Sequence, residues 1–365
     1  VLGLPIDYRA PAIYLSDIVV TIYLISFIVT NFKSLANIAN KFKNFIIVLL
    51  IFNFYLFAST IFSTSKEASL IFNLRILVYS LLAIAAAYTI SKRSTQKYAL
   101  VIISFSLMLQ SLLIFSQFTM QKSQGLWIVG ERSFQSTTPG IAHVTLFGQQ
   151  LLRPYGTFPH PNVAGAFLAL GLILIFQSRK IIAFVAGIAT VLTFSRTAFV
   201  TLLLAVFLGL PTPKKLISIA LTIILAFLIG PTILNSIPTD SIAERLLLIQ
   251  AALDISLVQP AFGIGSNNFI LELSKLNLFS PAETRLLQPV HNVFLLILAE
   301  NGVIGLLLFA ALLLAVARNV KGKVKTALFL TILTYASVDH FLWTLAQGQL
   351  MFWLTLAYII SGKKT

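Results

Sequence analysis

Long apolar stretches alternate with short charged or turn-forming segments along almost the whole chain. A helix that crosses a hydrocarbon core of ~30 Å needs about 20 apolar residues. Cut at its charge clusters, the sequence predicts eleven spans, near 12–31, 45–63, 69–90, 98–118, 162–178, 181–194, 197–211, 216–234, 292–317, 326–345 and 349–361. Two long loops remain, 119–161 and 235–291, and neither carries the period-two alternation that would predict strands. The expected fold is all-α, a polytopic membrane protein forming a single integral membrane domain over residues 1–365.

The stretch 181–210 decides the threading. It reads as one long helix interrupted by Arg196 or as two short ones, and the loops on either side carry Arg179, Lys180 and Lys214, Lys215. Cytoplasmic loops are enriched in Lys and Arg, so both loops lie inside only if the chain crosses twice between them. Ser195, Arg196 and Thr197 then form an outer turn. Arms of about 14 residues reach ~21 Å, short of the core thickness, which recesses the turn below the outer surface. With this threading, 16 of the 26 basic residues fall in inner loops and none of the 11 acidic residues does. His143, His160, His291 and His340 all lie toward the outer side, as do both long loops. The chain starts outside at Val1, so a further upstream helix is expected, making twelve in the intact protein. In the second outer loop, Ser241 and Glu244 read as a capping box opening an amphipathic helix from Ile242 to Leu257, which would lie on the outer membrane face.

Composition agrees with lipid as the solvent. Hydrophobic residues make up 58% of the chain and charged ones 10%, with a mean hydropathy of +0.94, which leaves too few polar side chains to cover a soluble globule. The net charge of +15 sits in loops between spans, so it signals topology and membrane lipids, not a nucleic-acid partner. Cysteine is absent, excluding disulfides, thiolate metal sites, iron–sulfur clusters and a cysteine nucleophile. The four histidines lack metal-ligand spacing, so no metal is expected. Gly263, Ile264 and Gly265 lack the strand and helix of a dinucleotide loop and read as a turn.

Several polar residues are costly where the threading puts them. An arginine costs about 2.5–3.5 kcal/mol at a span centre and less near an end, so Arg196 calls for an anion or for snorkelling to headgroups. Ser195 can cap the following helix, whose N-terminal amides and dipole would join the guanidinium in an anion site at lipid-phosphate depth. Arg153 through Asn162, with three prolines and a glycine, forms an irregular entrance to the fifth span, or a plain turn with a headgroup-binding arginine. Arg245 reads by itself as a headgroup contact. His291 and Asn292 open the ninth span, where a neutral imidazole can accept a proton. Glu300 inside that span is a functional candidate or a tie between helices, and Gly302 and Gly305 suit close helix packing. Asp339 and His340 read as a satisfied polar pair, with a proton relay as the other reading.

Taken in order, these segments resemble the O-antigen ligase and O-antigen polymerase superfamily of membrane glycosyltransferases. The family's arginine ahead of a Gly, Thr, Phe and Pro, Asn entrance is similar to Arg153 through Asn162, and its Ser, Arg turn to Ser195 and Arg196. Its outer-loop Glu, Arg and Pro, Gly, Gly, Asn, Phe run resembles Glu244, Arg245, Pro260, Gly263, Gly265, Asn268 and Phe269. Its His, Asn and later Glu, Gly, Gly resemble His291, Asn292, Glu300, Gly302 and Gly305. The motifs cover roughly residues 150–310; the second outer loop is short for a ligase, and an aromatic usual after the loop arginine is absent.

The resemblance implies a metal-independent, inverting enzyme of the bacterial inner membrane, with no cofactor and an active site facing the extracytoplasmic side. It would move a glycan from undecaprenyl pyrophosphate to a lipid, glycan or protein acceptor, as in lipopolysaccharide and other polysaccharide biosynthesis. Arg196 and Arg245 would stabilise the leaving pyrophosphate and His291 would be the base. Arg153, Ser195, Asn162 and Asn292 would serve the donor, with Glu300, Gly302 and Gly305 in support. Ligase, polymerase and protein O-glycosyltransferase share the donor and stay open. So does a transporter or flippase of an anionic or polyprenyl-linked solute, to which broken helices and buried charge are equally suited.

Overall fold

A computed structural model describes residues 12–146, 148–209, 239–276 and 287–362; the expected eighth span, Lys363 and Lys364 lie outside them. The described chain is mostly helix: α1 (Leu15–Asn31), α2 (Leu35–Lys41), α3 (Lys43–Ser59), α4 (Lys66–Ile90) and α5 (Arg93–Met120) come first. A hairpin of β1 (His143–Leu146) and β2 (Gln149–Leu152) follows, then α6 (Pro161–Ile175), α7 (Lys180–Leu192) and α8 (Arg196–Gly209). The last elements are α9 (Thr239–Val258), α10 (Phe269–Lys275), α11 (Val293–Ala317), α12 (Lys323–Val338), α13 (Phe341–Thr344) and α14 (Ala346–Ile360). Among the described residues, five helices are long and apolar enough to cross a membrane: Leu15–Lys41, Lys43–Phe62, Lys66–Ile90, Arg93–Met120 and Val293–Ala317. The protein is an integral membrane protein. Large apolar side chains point away from neighbours along α1, where only Val20 and Phe27 are buried, a surface that water would penalise and lipid does not.

The contacts divide the chain into two compact units: Val1–Lys92 with Asp240–Val320 and Tyr335–Lys363, and Arg93–Thr239 with Lys321–Thr334 and Lys364–Thr365. In the first, α4 packs on α14 and α1, and α3 on α11 and α4. Phe309 of α11 is the hub of its aromatic core, with ring centroids 6.1 Å from Phe52, 5.7 Å from Trp343 and 5.9 Å from Phe352. In the second, α6 packs against α5, α7 and α8.

Three differences from the sequence reading bear on function. The loop between α5 and α6 contains a β-hairpin, pairing His143 with Leu152 and Leu146 with Gln149; its four-residue strands are too short for alternation to register. Second, α9 is helical from Thr239, which puts Ser241 inside the helix and not at its N-cap. Third, the ninth and tenth spans are not continuous. Gly302 has φ 65 and ψ −174 inside α11, and the tenth span is interrupted at Asp339 and His340, between α12 and α13.

Gly302 is thus a break as well as a packing residue. A break frees backbone groups that lipid cannot satisfy. The segment after α9 supplies their partners: Val303 N donates to Pro260 O (2.8 Å), while Ile264 N and Gly265 N donate to Ala299 O (3.1 Å) and Glu300 O (2.7 Å). The turn at Gly263 and Gly265 is therefore one half of a backbone clasp. Its glycines are required sterically, since a Cβ at Gly263 would run into the Glu300 and Asn301 backbone. Tyr55 locks the clasp by donating its hydroxyl to Asn301 O (2.6 Å).

Candidate functional site

In the second unit the arginine-bearing segment before α6 is held by two glutamines of α5. Gln117 Oε1 accepts from Tyr155 N (2.9 Å) and Gly156 N (2.8 Å), and its Nε2 donates to Gly156 O (2.9 Å). Gln110 Oε1 accepts from Thr157 N (3.1 Å) and its Nε2 donates to Thr157 Oγ1 (2.8 Å). The two lie seven residues apart, hence on one helix face. The segment enters α6 through His160, whose Nδ1 accepts from Asn162 N (3.1 Å), with Pro161 in the first turn, where its missing N–H costs nothing.

Arg153 then acts as a strut: Nε donates to Thr193 O (3.0 Å) and Nη2 to Asn162 Oδ1 (2.8 Å). Thr193 belongs to the turn joining α7 to α8, where Phe194 takes φ 52. Ser195 Oγ accepts from Ala198 N (3.3 Å), the helix cap its position suggests, and Arg196 stands exposed in the first turn of α8. Gly165 of α6 makes this possible, because a Cβ there would sit 2.7 Å from Ala198 Cβ and 2.9 Å from Thr193 Oγ1. Burial draws Arg153 down to about 10, Tyr155 opposing and the charge of Arg196 adding, so it stays a cation at neutral pH. Arg153, Asn162, Ser195 and Arg196 are thus one assembly. An exposed guanidinium at a capped helix N-terminus can receive an anion.

In the first unit, Asn292 caps α11, with Oδ1 accepting from Leu295 N (3.0 Å) and Nδ2 donating to Ser337 O (3.0 Å). His291 lies just before that helix. Its ring stands 5.2 Å from that of His340, edge to face, and ligand atoms of His291, Asp339 and His340 lie within 4.8 Å of one another. Asp339 Oδ1 accepts from His340 N (2.8 Å), and His340 Nδ1 shares a hydrogen bond with Thr344 Oγ1 (2.8 Å). His291 Nδ1 is buried with no hydrogen-bond partner among the described residues. Burial pulls the His291 pKa below its ordinary value of 6.5, the Asp339 charge opposing and the Arg245 charge adding, so the imidazole is neutral near pH 7. Arg245, on α9, is therefore near enough for its field to reach the histidine.

The histidines that looked scattered in sequence are in part brought together: His291, Asp339 and His340 are the residues, among those described, that could hold a metal ion. Glu300 does not join them by any described hydrogen bond. It is buried in α11, its Oε1 accepting from Phe269 N (3.3 Å), and so ties α10 to the clasp. Sequence reasoning missed Gln110, Gln117, Gly165 and the meeting of Asp339 with His291. Two amides one heptad apart in an apolar span were the available signal for the glutamines; nothing in the pattern pairs residue 291 with 339.

No curated protein matches the chain. The O-Antigen ligase family, whose matches point to membrane glycosyltransferases, covers residues 164–310, the stretch that holds Ser195, Arg196, Glu244, Arg245, His291, Asn292 and Glu300, and over it the family resemblance read from the motifs is shown.

Proposed function

We propose that the protein is a metal-independent glycosyltransferase of O-antigen ligase type, moving a glycan from undecaprenyl pyrophosphate to a hydroxyl on an outer-face acceptor. The bond between the anomeric carbon and the pyrophosphate oxygen breaks, the acceptor oxygen bonds to that carbon, and the hydroxyl proton passes to His291. Arg196 and Arg245 neutralise the charge that develops on the leaving pyrophosphate, while Ser195 presents the α8 amides to it. Arg153 and Asn162 position the Ser195 turn, and Asn292 positions His291 through the helix cap. The site lies at the extracytoplasmic side of an inner membrane.

The observation that carries this reading is the family match over residues 164–310, which contains the Ser195–Arg196 turn, Arg245 and His291. The state of His291 supports it: a base must be neutral with a nitrogen not already engaged, and its buried Nδ1 has no described hydrogen-bond partner. Leaving as a diphosphate, the donor needs cations rather than a protonated leaving group, a task for arginines. Transfer by purified protein in EDTA tests it. Product from an undecaprenyl-pyrophosphate glycan, lost in Arg196→Ala, Arg245→Ala and His291→Ala at matched folding, is the expected result. The acceptor that works separates ligase from polymerase and from protein O-glycosyltransferase. No product with any acceptor, alongside flipped lipid or accumulated solute in vesicles, would replace the enzyme by a transporter.

A further inference from the structure

Four consecutive apolar side chains in the segment between α5 and β1 face outward: Leu126, Trp127, Ile128 and Val129 are 46%, 75%, 80% and 48% exposed. Other apolar side chains of the segment are buried nearby, Phe134 and Ile141 packing with Leu152 of β2 and with Tyr155 in a small core. The tip is also firmly presented. Buried Glu131 accepts from Gln124 N (2.7 Å), Leu126 N (2.6 Å) and Gln117 Nε2 (2.8 Å). Gly125 and Gly130, at φ 80 and 90, turn the chain on either side of a 3-10 turn at Trp127–Val129. The neck is closed by Ser123 N donating to Phe134 O (2.9 Å) and Ser136 N to Gln121 O (3.2 Å). Exposed Lys122 and Arg132 flank it, one on each strand of the neck, and no charged residue lies between Gln124 and Gly130.

We infer that this tip is a lipid anchor, inserted in the interface of the outer leaflet with Trp127 and Ile128 among the upper acyl chains and Lys122 and Arg132 at phosphate level. An apolar tip led by tryptophan between two cations matches the layering of an anionic bilayer surface, where indoles take the boundary and Lys or Arg takes the headgroups. The depth also fits. The 28 residues of α5 rise ~42 Å against a core of ~30 Å, so the helix end at Met120 reaches headgroup level and the tip lies a few residues beyond it. Arg132 also lies over the Tyr155 ring, 5.5 Å from its centroid, and stays exposed there; a soluble protein partner would supply the apolar contact but gives no reason for the exposed Lys122 on the other flank. Because Glu131 bonds the same Gln117 that holds Tyr155 and Gly156, the anchor also restrains the segment leading to Arg153 and Asn162.

Trp127 makes the test direct, since the chain has three tryptophans and the other two, Trp343 and Trp353, are buried. The full chain is placed in nanodiscs containing phosphatidylglycerol and phosphatidylcholine brominated either high or low on the acyl chain. The difference between wild type and Trp127→Phe isolates the Trp127 emission, with Trp343 and Trp353 as the internal record of folding. The expected result is loss of at least half of that emission with the high-brominated lipid, less with the low-brominated one, and shielding from aqueous iodide. A second variant, Ile128→Asp, changes an exposed position and should shift Trp127 from lipid quenching to iodide quenching. Emission quenched by iodide and indifferent to brominated lipid would overturn the anchor, as would an Ile128→Asp protein whose lipid quenching equals wild type.

Discussion

Replacing Gly302 by alanine tests whether the clasp between the α9–α10 segment and the broken α11 is a designed joint. The position combines two demands. Its φ of 65 with ψ of −174 belongs to a region essentially reserved for glycine, at a cost of about 1–3 kcal/mol for another residue. A Cβ would also meet the backbone of Ala261 and stand 2.7 Å from Phe262 N. That neighbour is backbone, so relief requires drawing the segment away from Val303 N, Ala299 O and Glu300 O, each lost bond costing about 0.5–1.5 kcal/mol. The expected destabilisation is about 2–5 kcal/mol, read as the shift in unfolding free energy in a mixed-micelle SDS titration. Gly140→Ala is the control: its φ is 77 but nothing lies within 4 Å of an added Cβ, so it carries backbone strain without collision and should cost about 1 kcal/mol. If Gly302→Ala were no worse than Gly140→Ala, the clasp would not be a tight backbone joint and the account of α11 would be wrong.

Four further outcomes follow from the site geometry. The acid limb of the transfer rate should fall below pH 6.5, because burial lowers His291 and activity is lost only as pH drops through that lowered value; Asp339→Asn, which removes the charge that raises it, should move the limb to still lower pH in a pH–rate profile. Gln117→Leu leaves two backbone amides of the Tyr155–Gly156 turn and the Gly156 carbonyl without their partner, and should cost about 2–4 kcal/mol in the same SDS titration while Gln124→Leu, whose side chain is at the surface neck, costs under about 0.5. Arg153→Lys keeps the charge but cannot reach Thr193 O and Asn162 together in the same fork, so transfer should fall by about tenfold or more with little gain from added salt. Gly165→Val should lower transfer and stability together, since it displaces the Ser195 turn; a crystal or cryo-EM structure of the variant with an unmoved Ala198 would contradict that.

What was legible in the sequence divides along a physical line. Apolar length predicts helices wherever the chain is uniformly apolar, and the helices from Leu15 to Met120 follow that rule. Local chemistry was legible too: Ser195 caps α8 and Asn292 caps α11, because a cap is decided within four residues. The breaks in the ninth and tenth spans were not. Gly302 lies in a span that reads as continuous despite Glu300 and Asn301, and it is Pro260, Ala261, Ile264 and Gly265, some forty residues away, that make a break there tolerable. The hairpin at residues 143–152 was hidden for a related reason, since its burial is set by Phe134 and Tyr155 rather than by its own alternation.

The polar residues of interest gather where helices stop inside an apolar run. At the α7–α8 turn, Thr193 O is taken by Arg153 and Ala198 N by Ser195. At Gly302, the freed groups of α11 are taken by the α9–α10 segment, and between α12 and α13, His340 N is taken by the Asp339 carboxylate. A broken helix in lipid must bring polar groups to its own ends, because an unpaired backbone group there costs several kcal/mol. The same requirement concentrates donors, acceptors and charge at a few points of an otherwise inert surface. On this argument Arg153 and Glu300 are parts of the breaks, held by the Thr193 carbonyl and the Phe269 amide. Arg196 stands exposed at a capped helix start, and His291 keeps a buried ring nitrogen with no described partner; the proposed transfer puts its cation and its base at these two positions.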